Sequence, residues 1–231
     1  MSLTLYELCG ADDRRFSPYC WRIRMALAHK GLDPERVPVR FTEKDKIAFS
    51  GQKLVPVLVD GDTTVVDSFA IACYLDDAYP DRPTLFGKAL GRSLSKFFMA
   101  WLNTEVQPGL LGLIIKDIHD HLDAPDQDYF RETRTQRFGR GLDEIQADRD
   151  QKIADFRKSL TPARNILADQ KFLCGEEAAG ADYFMFGTFQ WAHTISPFVL
   201  LAEDDPVFAW RGRMLDLFDG LAAAEPGYPL A

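Results

Sequence analysis

The chain has little cysteine and fewer basic than acidic residues. Its 231 residues hold four cysteines, and 27 Lys and Arg stand against 35 Asp and Glu, for a net charge of −8. Because a chain with this net negative charge could neutralise few phosphates of a nucleic acid, we expect no nucleic-acid partner. The cysteines, at positions 9, 20, 73 and 174, show no paired metal-type spacing, so we expect reduced thiols and no metal.

Long apolar runs are also missing. The runs present are far too short to span a bilayer, and the N-terminus enters a strand pattern without the basic region and apolar core of a signal peptide. We therefore expect a cytoplasmic protein with no membrane partner. The hydrophobic fraction of 46% is typical of a soluble globular chain, long enough for one large or two small domains.

The most informative stretch joins a strand to a helix. Residues 3–8 alternate apolar and polar side chains, which predicts a half-buried strand. Ser17 is a preferred N-cap and Pro18 suits the first helical position, so a helix is predicted from there to Lys30, ending at Gly31. A helix start with a Ser hydroxyl can bind an anion, and a thiolate is one such anion. Taken alone, this stretch indicates only that Ser17 caps the helix.

The next stretch predicts a small α/β unit. A short strand is expected at 37–41, and Asp60-Gly61 between two β-branched runs predicts a hairpin. Asp67-Ser68 then caps a helix that ends before Pro80. A polar, proline-bearing break at 81–84 follows. We therefore divide the chain into a domain at 1–82 and a second domain at 88–231.

The second domain has only helical patterns. A wide apolar stripe runs from Leu94 to Val106 and continues past Pro108-Gly109. Residues 120–127 read as a turn and 139–150 as an irregular insert. Further helices are predicted at 128–138, 151–170 with a bend at Thr161-Pro162, 181–196 and 206–221.

Three features of the first domain together describe a ligand. The Val55-Pro56 bond is a candidate cis bond that would present the Val55 main chain to an extended peptide. Asp67 offers a carboxylate to an ammonium group, and Ser68 at a helix start would hold a carboxylate. With Ser17 near a thiol, the ligand is a thiol peptide with a zwitterionic end. Glutathione fits this description.

The same motifs resemble those of the cytosolic glutathione transferases over essentially the whole chain. They are Ser17-Pro18-Tyr19-x-Trp21-Arg22, Val55-Pro56-Val57, Asp67-Ser68 and Tyr74-Leu75-Asp76-x-x-Tyr79-Pro80. The resemblance implies a thioredoxin-like domain followed by an all-helical acceptor-substrate domain, with glutathione as co-substrate and no metal. It implies a homodimer formed through helices near 68–79 and 88–106. The implied glutathione-binding residues are Lys53, Val55, Pro56, Asp67 and Ser68.

Within that family the chain looks most like the bacterial β-aryl etherases. The long loop at 9–16, the insert containing residues 142–147 and the segment 203–206 carry this resemblance. Two departures stand out. The capping box of the last buried helix has Ala179 at the cap position and keeps only Asp182, and Asp67 replaces the Glu of many relatives.

The resemblance implies a serine-type mechanism. Ser17 would donate a hydrogen bond to the glutathione thiolate, which then attacks a small aromatic substrate, here expected to be a β-aryl ether. Candidates for the acceptor site lie in the first helix and on the inward faces of residues 110–119 and 183–190. They are Tyr19, Leu111, Ile115, His119 and Phe186.

Several alternatives stay open. A zeta-like maleylacetoacetate isomerase would carry Ser-Cys where this chain has Pro18-Tyr19, and a reductive dehalogenase would need cysteine at position 17. A non-catalytic glutathione-binding or chaperone protein could share the fold. A metal at His119 and His121 is disfavoured because i,i+2 residues face different sides of a helix. Ser17-x-x-Cys20 lacks the first thiol of a redox motif, and the chain has no hydrolase elbow.

Overall fold

The computed structural model describes residues 2–229, which begin with a four-stranded mixed sheet of order β2-β1-β3-β4. Its strands are β1 (Leu3–Leu8), β2 (Glu35–Val39), β3 (Val57–Asp60) and β4 (Thr63–Val66). Strand β1 is parallel to β2 and antiparallel to β3, and β3 and β4 form the predicted hairpin, with Gly61 at a φ of 56°. Strand β2 starts earlier than the predicted 37–41, because Glu35 and Arg36 pair with β1.

Two helices cover this sheet. Helix α1 (Pro18–His29) and helix α2 (Ser68–Ala78) begin at the caps predicted for them, Ser17 and Asp67. A short 3₁₀ segment, Lys44–Ser50, lies between β2 and β3. The arrangement is thioredoxin-like, as expected from the sequence.

The remainder of the described chain is helical. Its helices are α3 (Ala89–Trp101), α4 (Gln107–Asp120), α5 (Ala124–Phe138), α6 (Leu142–Gln146), α7 (Arg149–Ser159), α8 (Thr161–Leu167), α9 (Gly180–Ile195) and α10 (Pro206–Leu215). The insert predicted to be irregular contains α6, whose Leu142 and Ile145 are buried. Helix α5 starts inside the predicted turn because Pro125 fits its first turn. The predicted helix at 206–221 stops at Leu215, since Phe218 and Asp219 are left-handed.

Helices α3 and α4 are joined by a π-helical segment, Leu102–Val106. The backbone keeps right-handed helical dihedrals at both junctions. One long helix with a wider turn in its middle therefore crosses the domain. Such π turns are frequent at functional sites, and this one faces the start of α1.

Helix α9 is the buried centre of the helical part and packs against α1. A Cβ on Gly187 would lie 2.3 Å from the carbonyl oxygen of Pro18, so only glycine permits this approach. The N-terminus of α9 lacks a side-chain cap at Ala179, yet Asp182 accepts a hydrogen bond from the Ala179 N–H at 3.2 Å. Asp182 also accepts from Trp210 Nε1 at 2.8 Å, so the retained half of the capping box anchors α10 as well.

Candidate functional site

The register of the sheet brings three predicted features to one edge. Helix α1 follows the C-terminal end of β1, and Val55-Pro56 precedes the start of β3, where Val57 pairs with Tyr6 near that end of β1. Val57 also pairs with Val66, the last residue of β4, and Asp67-Ser68 comes directly after it. Antiparallel pairing therefore places all three at the same end of the sheet.

Ser17 caps α1 at this edge. Its Oγ accepts a hydrogen bond from the Cys20 N–H at 3.3 Å, and the residue is 4% exposed. Pro18 occupies the first turn, so its missing N–H leaves no donor unpaired. The hydroxyl proton remains available to an acceptor in front of the helix, where the helix dipole favours negative charge.

The bond between Val55 and Pro56 is cis, as predicted. Within residues 2–229, the Val55 N–H and carbonyl have no backbone partner. Val55 is half-buried and Pro56 buried, whereas Lys53 and Leu54 are exposed. The main chain of Val55 is thus available to an extended ligand, with the Lys53 ammonium nearby along the chain.

Asp67 and Ser68 form the start of α2. Asp67 has a φ of 72°, and its Oδ1 accepts from the N–H groups of Phe69 and Ala70 at 2.9 and 3.0 Å. A left-handed non-glycine residue costs about 1–3 kcal/mol, which its capping bonds help to offset. Asp67 is exposed, whereas Ser68 is 3% exposed. The carboxylate and the helix start therefore face the same edge.

Arg22 of α1 carries a buried positive charge near this edge of the sheet. Its side chain is fully buried and donates to the Phe184 carbonyl at 3.3 Å and to Asn103 Oδ1 at 3.2 Å. Burial lowers its pKa to about 10, while Tyr19 and Asp67 act in the opposite direction. Arg22 therefore stays charged at neutral pH. It links α1, α9 and the π segment.

The π segment and the start of α4 contribute two polar groups that the sequence analysis missed, Asn103 and Gln107. The Tyr19 hydroxyl donates to Gln107 Oε1 at 3.1 Å, and Gln107 is 6% exposed with no partner for its Nε2 among the described residues. Asn103 and Gln107 are four residues apart within an apolar stripe. That spacing puts both polar side chains on one helix face, and this pattern is the sequence signal that could have identified them.

The predicted acceptor residues do not all lie together. Tyr19, in the first turn of α1, is 41% exposed, and Leu111 is half-buried. Ile115 and Phe186 are fully buried, with the Phe186 ring against Trp210. His119 is 4% exposed, and its Nε2 lies 2.8 Å from Arg131.

The cysteines near the site are neutral at pH 7. Burial raises the pKa of Cys20 to about 12, and burial with the Asp13 hydrogen bond raises that of Cys9 to about 11. Cys20 is a buried small residue, as predicted. Across residues 2–229 the structure shows no cluster of His, Cys, Asp and Glu suited to a metal, and no helix there is long and apolar enough to cross a membrane.

The fold defines a class of protein: a thioredoxin-like domain with the candidate residues at one end of its sheet, followed by a helical domain. Two family profiles identify the class more closely. One, described as glutathione S-transferase, N-terminal domain, matches residues 16–78, and one described as glutathione S-transferase, C-terminal domain, matches residues 93–199. The chain belongs to the cytosolic glutathione S-transferase superfamily.

Relatives in sequence include glutathione S-transferase Z1 of Arabidopsis thaliana, 35% identical over 111 residues, which are 46% of this chain and 50% of that protein. The chain spans about half the length of the curated relatives it matches.

Similar solved structures include a glutathione S-transferase of Ceriporiopsis subvermispora in complex with glutathione. It has 20% identity and a TM-score of 0.83, with 98% of this chain and 99% of that chain covered. Glutathione transferase GSTFuA2 from Phanerochaete chrysosporium has 25% identity and a TM-score of 0.78, with 96% and 94% covered. The first of these shares the fold.

Proposed function

We propose that this protein is a serine-type glutathione transferase. The observation that supports this most directly is the placement of the Ser17 hydroxyl at the start of α1, at the same sheet edge as Val55 and Asp67-Ser68. The domain at 1–82 would bind glutathione, and the helical domain at 88–231 would bind the acceptor. Residue 1 and residues 230–231 lie outside the described residues.

Each group at the edge has a partner in glutathione. Val55 would pair its main chain with the cysteinyl unit, held in place by Pro56, and the exposed Lys53 would meet a carboxylate. Asp67 has Oδ2 free for the ammonium group, and Ser68 at the start of α2 suits the neighbouring carboxylate.

Ser17 can activate the thiol without losing its own proton. A free thiol has a pKa of about 8.5, and each unit of depression needs about 1.4 kcal/mol of thiolate stabilisation. A hydrogen bond to an anion contributes about 1.5–3 kcal/mol, and the helix N-terminus adds about 0.5–1 kcal/mol. Together these would lower the thiol pKa by about 1.5–3 units, enough for substantial thiolate at pH 7.

The acceptor we favour is a β-aryl ether with a ketone beside the scissile carbon. The thiolate would attack that carbon, form a C–S bond and expel the aryl group as a phenolate, while the ketone withdraws electron density. Tyr19 in α1 is exposed and Leu111 in α4 is half-buried, and both would offer apolar surface to the acceptor. The loop at 9–16, tied to α4 by the Ala11 N–H to the His121 carbonyl at 2.9 Å, would border this site.

A zeta-like isomerase is the second candidate, because curated relatives of this chain are zeta-class transferases. That reaction would use the same thiolate, added to a maleyl double bond and then expelled after rotation. Pro18-Tyr19 in place of Ser-Cys is the feature that weighs against it.

Substitution of Ser17 tests the thiolate mechanism. We expect Ser17→Ala to lower turnover about ten- to thousand-fold, as loss of one anion donor does. Ser17→Asp should keep the helix cap but repel the thiolate, so it should be inactive while retaining thermal stability. If Ser17→Ala turns over substrate at the wild-type rate, the Ser17 hydroxyl takes no part in the reaction.

Two substrates separate the candidate reactions. We expect the purified protein to release phenol from a model β-aryl ether ketone only when glutathione is added, and to isomerise maleylacetone much more slowly. If the protein isomerises maleylacetone rapidly and leaves the ether uncleaved, the isomerase is the correct assignment. Glutathione binding without turnover of either substrate would support a binding protein on this fold.

A further inference from the structure

A small pocket lies in the helical domain, away from the predicted glutathione-binding edge of the sheet. It lies between the end of α9, helix α10 and residues 196–200 and 228–229. The α1 start contacts α9 at Gly187, whereas this pocket begins at Ala192, one to two turns further on. Its lining therefore shares no residue with the predicted glutathione or acceptor sites.

Arg211 of α10 brings an unpaired charge to this pocket. The residue is 6% exposed, and its Nε and Nη2 have no hydrogen-bond partner within residues 2–229. The guanidinium carbon lies 5.0 Å from the centre of the Phe208 ring, a contact that stabilises the cation without using its N–H groups. A buried guanidinium ordinarily has an anionic partner, because desolvation without pairing is costly.

The neighbouring polar groups do not supply that partner. The Ser196 hydroxyl donates to Asp117, and the Tyr228 hydroxyl lies 3.0 Å from His121 Nε2. His193 Nδ1 is the third unpaired polar atom, and burial together with Arg211 lowers the His193 pKa. At pH 7 the described lining thus holds one cation, one neutral imidazole and no free carboxylate.

The two free nitrogens of Arg211 form one edge of the guanidinium fork. Nε–H and Nη2–H are parallel, which matches the two oxygens of a carboxylate. Elsewhere in the chain, Arg164 uses the same pair, Nε and Nη2, to hold the Asp205 carboxylate, with Nη2 at 2.8 Å. The lining also includes the apolar side chains of Pro197, Phe198 and Val199.

We propose that Arg211 and His193 form a binding site for a small monocarboxylate with an apolar body. The guanidinium edge would take both carboxylate oxygens, and His193 Nδ1, as the protonated tautomer, would donate to one of them. Pro197, Phe198 and Val199 would contact the apolar part. A single positive charge favours a monoanion over a phosphate dianion, and the planar edge favours a carboxylate over a spherical halide.

Titration with benzoate tests the site, and benzamide is the neutral control of the same shape. By isothermal titration calorimetry at pH 7, we expect the wild-type protein to bind sodium benzoate and not benzamide. Arg211→Gln should weaken benzoate binding by about tenfold or more, the loss typical of a charge-assisted hydrogen bond. Arg213→Gln is the matched control, since Arg213 lies on the same helix and donates to the Lys171 carbonyl.

Further outcomes decide the proposal. Equal binding of benzoate and benzamide, or equal loss in the Arg211→Gln and Arg213→Gln variants, would contradict it. Inorganic phosphate binding more tightly than benzoate would overturn the choice of ligand. Arg211→Lys keeps the charge but lacks the planar fork, so weaker benzoate binding in that variant supports two-point recognition. Thermal unfolding establishes that each variant is folded, and no readout depends on transferase activity.

Discussion

At the scale of single residues, the chemistry at the start of α1 depends on whether a hydroxyl or a thiol stands at the helix N-terminus. Ser17 stands at the helix N-terminus, and Cys20 lies one turn inside the helix. The backbone there favours an anion, yet the thiol that could become one is buried, with a pKa near 12. The protein therefore offers a hydroxyl donor at the site and no competing thiolate of its own.

Ser17→Cys places a thiol at the helix N-terminus in place of the hydroxyl. A thiol at the helix N-terminus has a lowered pKa, so we expect position 17 in this variant to react with iodoacetamide at pH 7 far faster than Cys20 does in the wild type. The thiolate should also attack oxidised glutathione, forming a mixed disulfide and releasing one reduced glutathione. Mass spectrometry of labelled peptides measures both reactions. Labelling at position 17 as slow as at Cys20 would show that the helix start does not stabilise an anion.

At the scale of elements, Asp76 joins two helices to the segment between the domains. Its Oδ1 lies 2.6 Å from Lys30 Nζ at the end of α1. The same carboxylate accepts from the Leu85 N–H at 2.8 Å and the Thr84 hydroxyl at 2.8 Å. Lys30 is 1% exposed, so the pair is shielded from solvent and each charge depends on the other.

Asp76→Asn should therefore destabilise the protein substantially. The substitution leaves the buried Lys30 ammonium without its counter-charge, which typically costs about 3 kcal/mol. Asp77→Asn is the matched control, because Asp77 pairs with Arg92 in solvent, and we expect its effect to stay within about 1 kcal/mol. Urea unfolding at pH 7 measures both. Equal small effects would show that the buried pair contributes little.

The Asp76 pair also predicts a pH dependence. Burial opposes ionisation of Asp76, but the Lys30 ammonium and the surrounding donors outweigh it and hold the pKa below the ordinary value of 3.8. The folded state thus binds this proton less readily than the unfolded state does. The stabilisation is complete above 3.8 and is lost as the pH falls through the lower folded pKa. The stability difference between wild type and Asp76→Asn should accordingly be constant from pH 7 to about 5 and shrink in stronger acid.

The elements differ in how well the sequence predicts them. Helix starts at Ser17 and Asp67 and the turn at Asp60-Gly61 follow from local chemistry, and the structure confirms them. Helix α6 could not be predicted, because a five-residue helix has little intrinsic stability and depends on burial of its apolar side chains. The π segment was not predicted because its wider turn depends on contacts with α1, which is distant in sequence.

At the scale of the whole molecule, hydrogen bonds join the two domains around α1 and after β2. Arg22 of α1 donates to Asn103 in the π segment and to the Phe184 carbonyl in α9. Asp126 of α5 accepts from the N–H groups of Phe41 and Thr42, which fixes the loop after β2 on the helical domain. The first-domain residues could be predicted from motifs, whereas Asn103 and Gln107 lie in the helical domain, where no motif marks the residues that contact α1.

The outer face of α3 leads to a prediction about assembly. Leu90, Leu94 and Phe97 recur at helical spacing and are 72%, 59% and 76% exposed. They lie within the segment 88–106 through which the homodimer was predicted to form, and an exposed apolar stripe of this kind marks an interaction surface. We propose that a second copy of the chain covers it.

Light scattering after size exclusion should give twice the mass of one chain for the wild type. Leu94→Glu combined with Phe97→Glu should give the mass of one chain, because two carboxylates would have to be desolvated in the interface. Val199→Glu is the control: Val199 is 43% exposed in the segment after α9, outside the two segments predicted to form the dimer, and its substitution should leave the dimer intact. A monomeric wild type, or a dimer that survives both α3 substitutions, would show that this stripe is not the interface.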